Sequence, residues 1–132
     1  MSIKVDQALI QSFISAAFGL PVAHENIDYT PTVGTAYAEI TVFDSGTEAL
    51  DLSHTNERIG LFQCVLRYPV NTGAVAAKTK AEAIFNRFEI GSKHTYSGQD
   101  VWITAHDRQP GYPEDGWYKI VLRMRYRAFI TR

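Results

Sequence analysis

Cysteine is almost missing from this 132-residue chain: Cys64 stands alone, so no disulfide can close within one molecule. A single thiol in an apolar stretch is read as a small buried hydrophobe, and the chain as one made and kept in a reducing cytosol. Long apolar runs are also lacking, which leaves no candidate for a membrane-spanning helix. The opening residues, MSIKVDQALIQSF, carry one cation and then Asp6 and Gln7, not the charged start and apolar centre of a leader peptide. The catalytic signatures are missing too. There is no GxSxG, no HExxH, no phosphate loop and no GxGxxG after a strand. His24, His54, His94 and His106 are scattered, without metal-ligand spacing among themselves or with Cys64. No metal, cofactor or catalytic residue is expected.

Acid is absent from one place in particular. Residues 117–132 hold Lys119, Arg123, Arg125, Arg127 and Arg132 and no carboxylate, a local charge of +5. Residues 1–116 hold all fourteen acids against eight cations, a charge of −6. Such asymmetry suits contact between unlike surfaces, either with a partner or between copies of the chain.

What is present is an ordinary globular composition, 45% hydrophobic, with seven Tyr, seven Phe and two Trp. The length suits a single domain over residues 1–132. Helical spacing of Val5, Leu9 and Phe13 predicts a helix over 3–18, capped by Ser2 and stopped at Gly19-Leu20-Pro21. Alternation in TAYAEITVF predicts a first strand. Residues 44–56 then read as a long acidic loop carrying Asp44, Glu48 and Asp51, mobile in the free chain. RIGLFQCVLRY is a central strand, residues 71–88 a second helix, and VWITAH a third strand. DRQPGYPEDG is a turn-rich connection, and Trp117–Ile130 the last strand. The expectation is an α/β (α+β) domain of order α-β-β-α-β-β, with two helices packed on one face of a mainly antiparallel four-stranded sheet. Phe13, Phe62, Ile84 and Leu122 should share its core. At ~3.3 Å per residue the last strand reaches roughly 45 Å. A domain of this size is only about 35 Å across, so the strand should bend, fray or project.

Two functional alternatives can be read from side chains alone. The basic last strand, with Trp117, Tyr118, Tyr126 and Phe129 nearby, has the ingredients of a sequence-independent nucleic-acid-binding module. Alternation opposes stacking, because Tyr118 and Tyr126 share the apolar face of Ile120, Leu122 and Met124. The sequence pI of about 6.4 is also low for binding by counterion release. His106 with Asp107 and Asp115 could serve acid–base chemistry, although Asp and Gly are also ordinary turn residues.

The order of segments resembles the tail terminator (minor tail) proteins of long-tailed bacteriophages. The likeness runs from about Ile3 to Ile130 and is carried by ENIDYTPTVGTAYAEITV, RIGLFQCVLRYPVNTGAVAA, AEAIFNRF and EDGWYKIVLRMRYRA. It implies a structural protein without enzymatic activity, located in the virion tail and assembled in the cytoplasm of the bacterial host. It implies a hexameric ring that caps the tail tube, ends its polymerisation and offers a head-joining surface to the connector. DNA would pass through the ring without specific recognition. Within that frame Lys119, Arg123, Arg125 and Arg127 are expected to face acidic groups of a neighbour, with Asp44, Glu48 and Asp51 the internal candidates.

Overall fold

The structure is a computed structural model describing residues 3–25, 29–31, 34–49, 55–70 and 74–131. Ser2, Asp51 and His54 lie outside the described residues. Helix α1 spans Ile3–Ser15 and α2 spans Val75–Arg87. Seven strands follow the order β1 (Val22–His24), β2 (Tyr37–Ala49), β3 (Thr55–Pro69), β4 (Lys93–Tyr96), β5 (Gln99–Arg108), β6 (Tyr112–Glu114) and β7 (Trp117–Thr131). They form one sheet in the order β1-β2-β3-β7-β5-β4, with β6 also paired to β7. Among the described residues the only parallel pair is β1 with β2.

The architecture is the expected mixed α+β domain with two helices, but the sheet has seven strands where four were expected. The three additions are short strands of three or four residues, too brief to show a periodicity. Two of them are closed by two-residue turns with positive φ at both positions: Ser97-Gly98 between β4 and β5, and Asp115-Gly116 between β6 and β7. That backbone matches the right-handed twist of a hairpin, which is why Gly occupies the second place in each.

The expected acidic loop is a second correction. β2 continues to Ala49 and β3 begins at Thr55, so most of residues 44–56 is a two-stranded arm that extends the central sheet. Its outer residues, Phe43 to Ala49, are exposed. The last strand neither frays nor projects alone. All of β7 pairs with β3, from Trp117 opposite Pro69 to Thr131 opposite Thr55. Two strands of equal length share the burden of reaching beyond the domain's width.

One buried cluster joins the helices to one face of the sheet. Val5, Leu9 and Phe13 of α1 and Ala77, Ala81 and Ile84 of α2 meet Phe62, Cys64 and Leu66 of β3 and Ile120, Leu122, Met124 and Tyr126 of β7. Phe13, Phe62, Ile84 and Leu122 are all buried there, as the stripes predicted. Phe13, Phe62 and Phe88 form an aromatic triangle with centroids 5.3–6.4 Å apart. Burial holds the Cys64 thiol protonated, well above its usual range, with the Glu39 charge adding to the effect. Helix α1 ends before the expected stop because Ala17 already turns left-handed, which lays Phe18 over Phe13 at 5.0 Å.

A candidate partner interface on the open face

Strand alternation divides the residues of β7. Even-numbered positions from Ile120 to Ala128 enter the core, and Lys119, Arg123, Arg125 and Arg127 lie on the face that carries no helix. Pairing with the flanking strands sets what each cation meets. Arg127 meets Glu57 of β3 at 2.5 Å and Arg123 meets Asp107 of β5 at 3.2 Å. Lys119 reaches Glu114 of β6 at 3.4 Å. Three of the four cations therefore have carboxylates within the chain. Arg125 has no ion-pair partner among the described residues and is exposed. The basic stripe is mostly neutralised locally, which weakens it as a phosphate-binding track.

Two β-bulges shape the surface around Arg125. One interrupts β2 between Asp44 and Gly46, and the other interrupts β5 between Ile103 and Ala105. Bulges bend a strand and sharpen its twist. Between them lies an open cavity of about 480 Å³, whose lining includes Ser45, Ile59, Leu61, Thr104, Asp107 and Arg125. Phe43 and Ile59 add exposed apolar surface on the same face, 45% and 47% accessible.

The β2 bulge also sorts the acids. Without it Asp44 and Glu48 would share a face, being four residues apart in a strand. With it, Asp44 pairs with Gly60 while Glu48 pairs with Glu57, placing them on opposite faces. Asp44 turns to the helix-covered side, where its carboxylate lies 3.4 Å from Nε of buried Arg58 and accepts the Gly46 N–H at 2.8 Å. Arg58 also binds Asp6 of α1 at 2.7 Å and packs over the Tyr126 ring at 5.6 Å. Glu48 stays on the open face without an ion pair among the described residues. Asp51 lies outside the described residues.

Gly60 makes this junction possible. A Cβ there would lie far inside contact distance of the Phe43 carbonyl oxygen and 2.5 Å from the Tyr126 hydroxyl. That hydroxyl donates to the Phe43 carbonyl at 3.2 Å. Burial pushes the Tyr126 phenol up to about 12, with nearby Arg58 acting in the opposite sense, so it remains a neutral donor.

The candidate acid–base pair is separated by the same alternation. His106 lies opposite Met124 and stacks on Phe85 of α2 at 4.3 Å, while Asp107 lies opposite Arg123 on the open face. Asp115 belongs to the turn after β6. Among the described residues, no group of three or more His, Cys, Asp or Glu could hold a metal ion.

The family model described as phage tail terminator protein matches residues 4–126. The chain belongs to the phage tail terminator family. This assignment makes it a structural component of the virion tail. A solved structure with 20% sequence identity superposes with a TM-score of 0.72, covering 93% of this chain and 94% of that one, and shows the fold alone. No curated protein matches the chain. For this tail terminator, the residues that sequence reasoning missed are Glu57 and Glu114, and Asp107 was read only as an acid–base candidate; all three are the carboxylates opposite the basic stripe. Their role depends on which strands flank β7, and no property of those residues in isolation announces it. Arg58 was also missed, because it follows Thr55-Asn56-Glu57 at the polar start of β3 and nothing in that stretch sets it apart from a solvated end.

Proposed function

We propose that this chain assembles as a ring, hexameric in keeping with the resemblance, on the end of the tail tube. The ring stops polymerisation and gives the head connector a surface to join. The match to the tail terminator family over residues 4–126 carries this reading. The sheet's two edges support it. One edge is β1 with the exposed outer part of β2, and the other is β4. A cyclic ring needs two unlike patches on each copy, one meeting the other on its neighbour.

Lys119, Arg123, Arg125 and Arg127 take part in the contact with an adjacent copy or with the tube, with Asp44, Glu48 and Asp51 as candidate counter-charges. Arg125 and Glu48 rank first, since neither has an ion pair within the chain among the described residues. Exposed pairs add only ~0–1 kcal/mol each, so these charges select partner and register more than they supply affinity. DNA crosses the ring without being read, and assembly takes place in the host cytoplasm before the tail joins the head. Electron microscopy of tails carrying an epitope-tagged chain tests the reading. Label confined to the head-proximal end supports it. Label along the tube or at the distal tip overturns it.

A further inference from the structure

A second site lies on the helix-covered side, where the end of α2 meets α1 and β4. Its core is a chain of hydrogen bonds through Ser12, His94 and Ser92 that runs in one of two senses, set by which ring nitrogen of His94 carries the proton. Arginine can only donate. Arg87 Nε lies 3.1 Å from Ser12 Oγ and 3.3 Å from the Ser12 carbonyl oxygen, so Ser12 Oγ accepts from it. The Ser12 hydroxyl hydrogen is then available for His94 Nδ1 at 2.6 Å. With Nδ1 accepting, neutral His94 carries its proton on Nε2, which donates to Ser92 Oγ at 3.0 Å. In that tautomer the Ser92 O–H comes last and donates to no acceptor among the described residues.

The relay ends in a cavity of about 440 Å³ lined by Gln11, Ser15, Arg87, Ser92, Lys93 and Thr95, among others, and by no carboxylate. Arg87 also donates from Nη2 to Ser15 Oγ at 3.2 Å, and it has no ion pair among the described residues. Two cations without an ion pair among the described residues thus line one pocket beside Ser92, while the Ser15 hydroxyl donates to the Ser12 carbonyl oxygen at 3.2 Å and the Thr95 hydroxyl to Asp100 at 2.6 Å. The Ser12–His94 pair resembles a nucleophile with its base, but Ser12 is buried and already accepts from a guanidinium, which reduces its nucleophilicity. Burial, reinforced by Arg87, lowers His94 to about 4, too low for a base at neutral pH.

We propose that this pocket is an oxyanion site, in which Arg87, Lys93 and the Ser92 hydroxyl bind a single phosphate or carboxylate group. Free phosphate and a partner's acidic side chain share this chemistry. The test uses the full chain titrated at constant ionic strength with inorganic phosphate, acetate or chloride. Side-chain ¹⁵N resonances of Arg87 and His94 are followed. The expected result is the Nε2–H tautomer for His94 and a saturable shift at Arg87 with phosphate, acetate or both, but not with chloride. A response to phosphate alone identifies a phosphate site, and a response to acetate a carboxylate site. Ser92→Ala should weaken binding roughly tenfold, the effect of losing one hydrogen bond to a charged group. Arg87→Gln should abolish saturation, and Lys93→Gln, an exposed position, replaces it if that variant does not fold. An Nδ1–H tautomer, an equal response to chloride, or an undiminished response in the Ser92 and Lys93 variants overturns the proposal.

Discussion

Replacing Gly60 by alanine tests the account of the bulged junction at the smallest possible scale. The added methyl would overlap the Phe43 carbonyl oxygen and lie 2.5 and 2.6 Å from Oη and Cζ of Tyr126. One neighbour is backbone, held by the β2–β3 ladder, and the other is a ring that is 1% exposed, so neither yields cheaply. Overpacking of this kind costs about 1–3 kcal/mol. Displacing Tyr126 also removes its bond to Phe43, worth about 1 kcal/mol. The expected loss is therefore roughly 2–4 kcal/mol. At ~2.1 cal/mol/K per residue, a chain of this length loses about 10 °C in Tm for 3 kcal/mol. Thermal and urea melts of Gly60→Ala read the effect directly. Adding Tyr126→Phe removes the hydroxyl but leaves the clashes with Cζ of the ring and with the Phe43 carbonyl, so rescue should be small. A Gly60→Ala protein with unchanged Tm would refute the close approach of β2, β3 and Tyr126.

Phe62→Ala should cost roughly 3–5 kcal/mol in urea unfolding, because Phe62 is fully buried between Phe13 and Phe88. His94 falls from 6.5 to about 4 on folding, so the neutral form is the one the fold favours. Its contribution is complete above about pH 6.5 and is lost as pH falls towards 4, by up to ~3 kcal/mol. The wild type should therefore lose more stability than His94→Asn between pH 7 and 4.5, and parallel losses would contradict the neutral buried imidazole. Arg125→Glu should impair ring assembly while leaving the monomer's Tm within about 1 °C, since it breaks no ion pair among the described residues. Arg123→Glu should also lower Tm, because it sets two carboxylates side by side at Asp107. Equal Tm for the two variants would argue against the Arg123–Asp107 contact.

The core was legible because its signal is periodic. Phe13 on a 3.6-residue stripe and Phe62 and Leu122 on two-residue stripes point to one interior, and they share it. The short strands were not, since three or four residues carry no period. Ser97-Gly98 and Asp115-Gly116 were the legible trace of two of them. The arm was misread because Asp44–Ala49 is polar on both sides and resembles loop, yet β3 supplies a full hydrogen-bonded partner. Composition showed the basic stripe, but its neutralisation depends on Glu57, Asp107 and Glu114, which strand order brings alongside from 5 to 70 residues away. The separation of Asp44 from Glu48 depends on one bulge, and its mark in the sequence is Gly46 within an acidic stretch.

The central claim is that this chain caps a growing tube. Tail-tube protein polymerising in the presence of increasing amounts of the chain measures it directly, with tube lengths read by electron microscopy. The account predicts that mean length falls as the chain is added, that a ring appears at one end only, and that Arg125→Glu shortens tubes less than the wild type. Tubes of unchanged length with the chain unbound, or bound evenly along their walls, would contradict it.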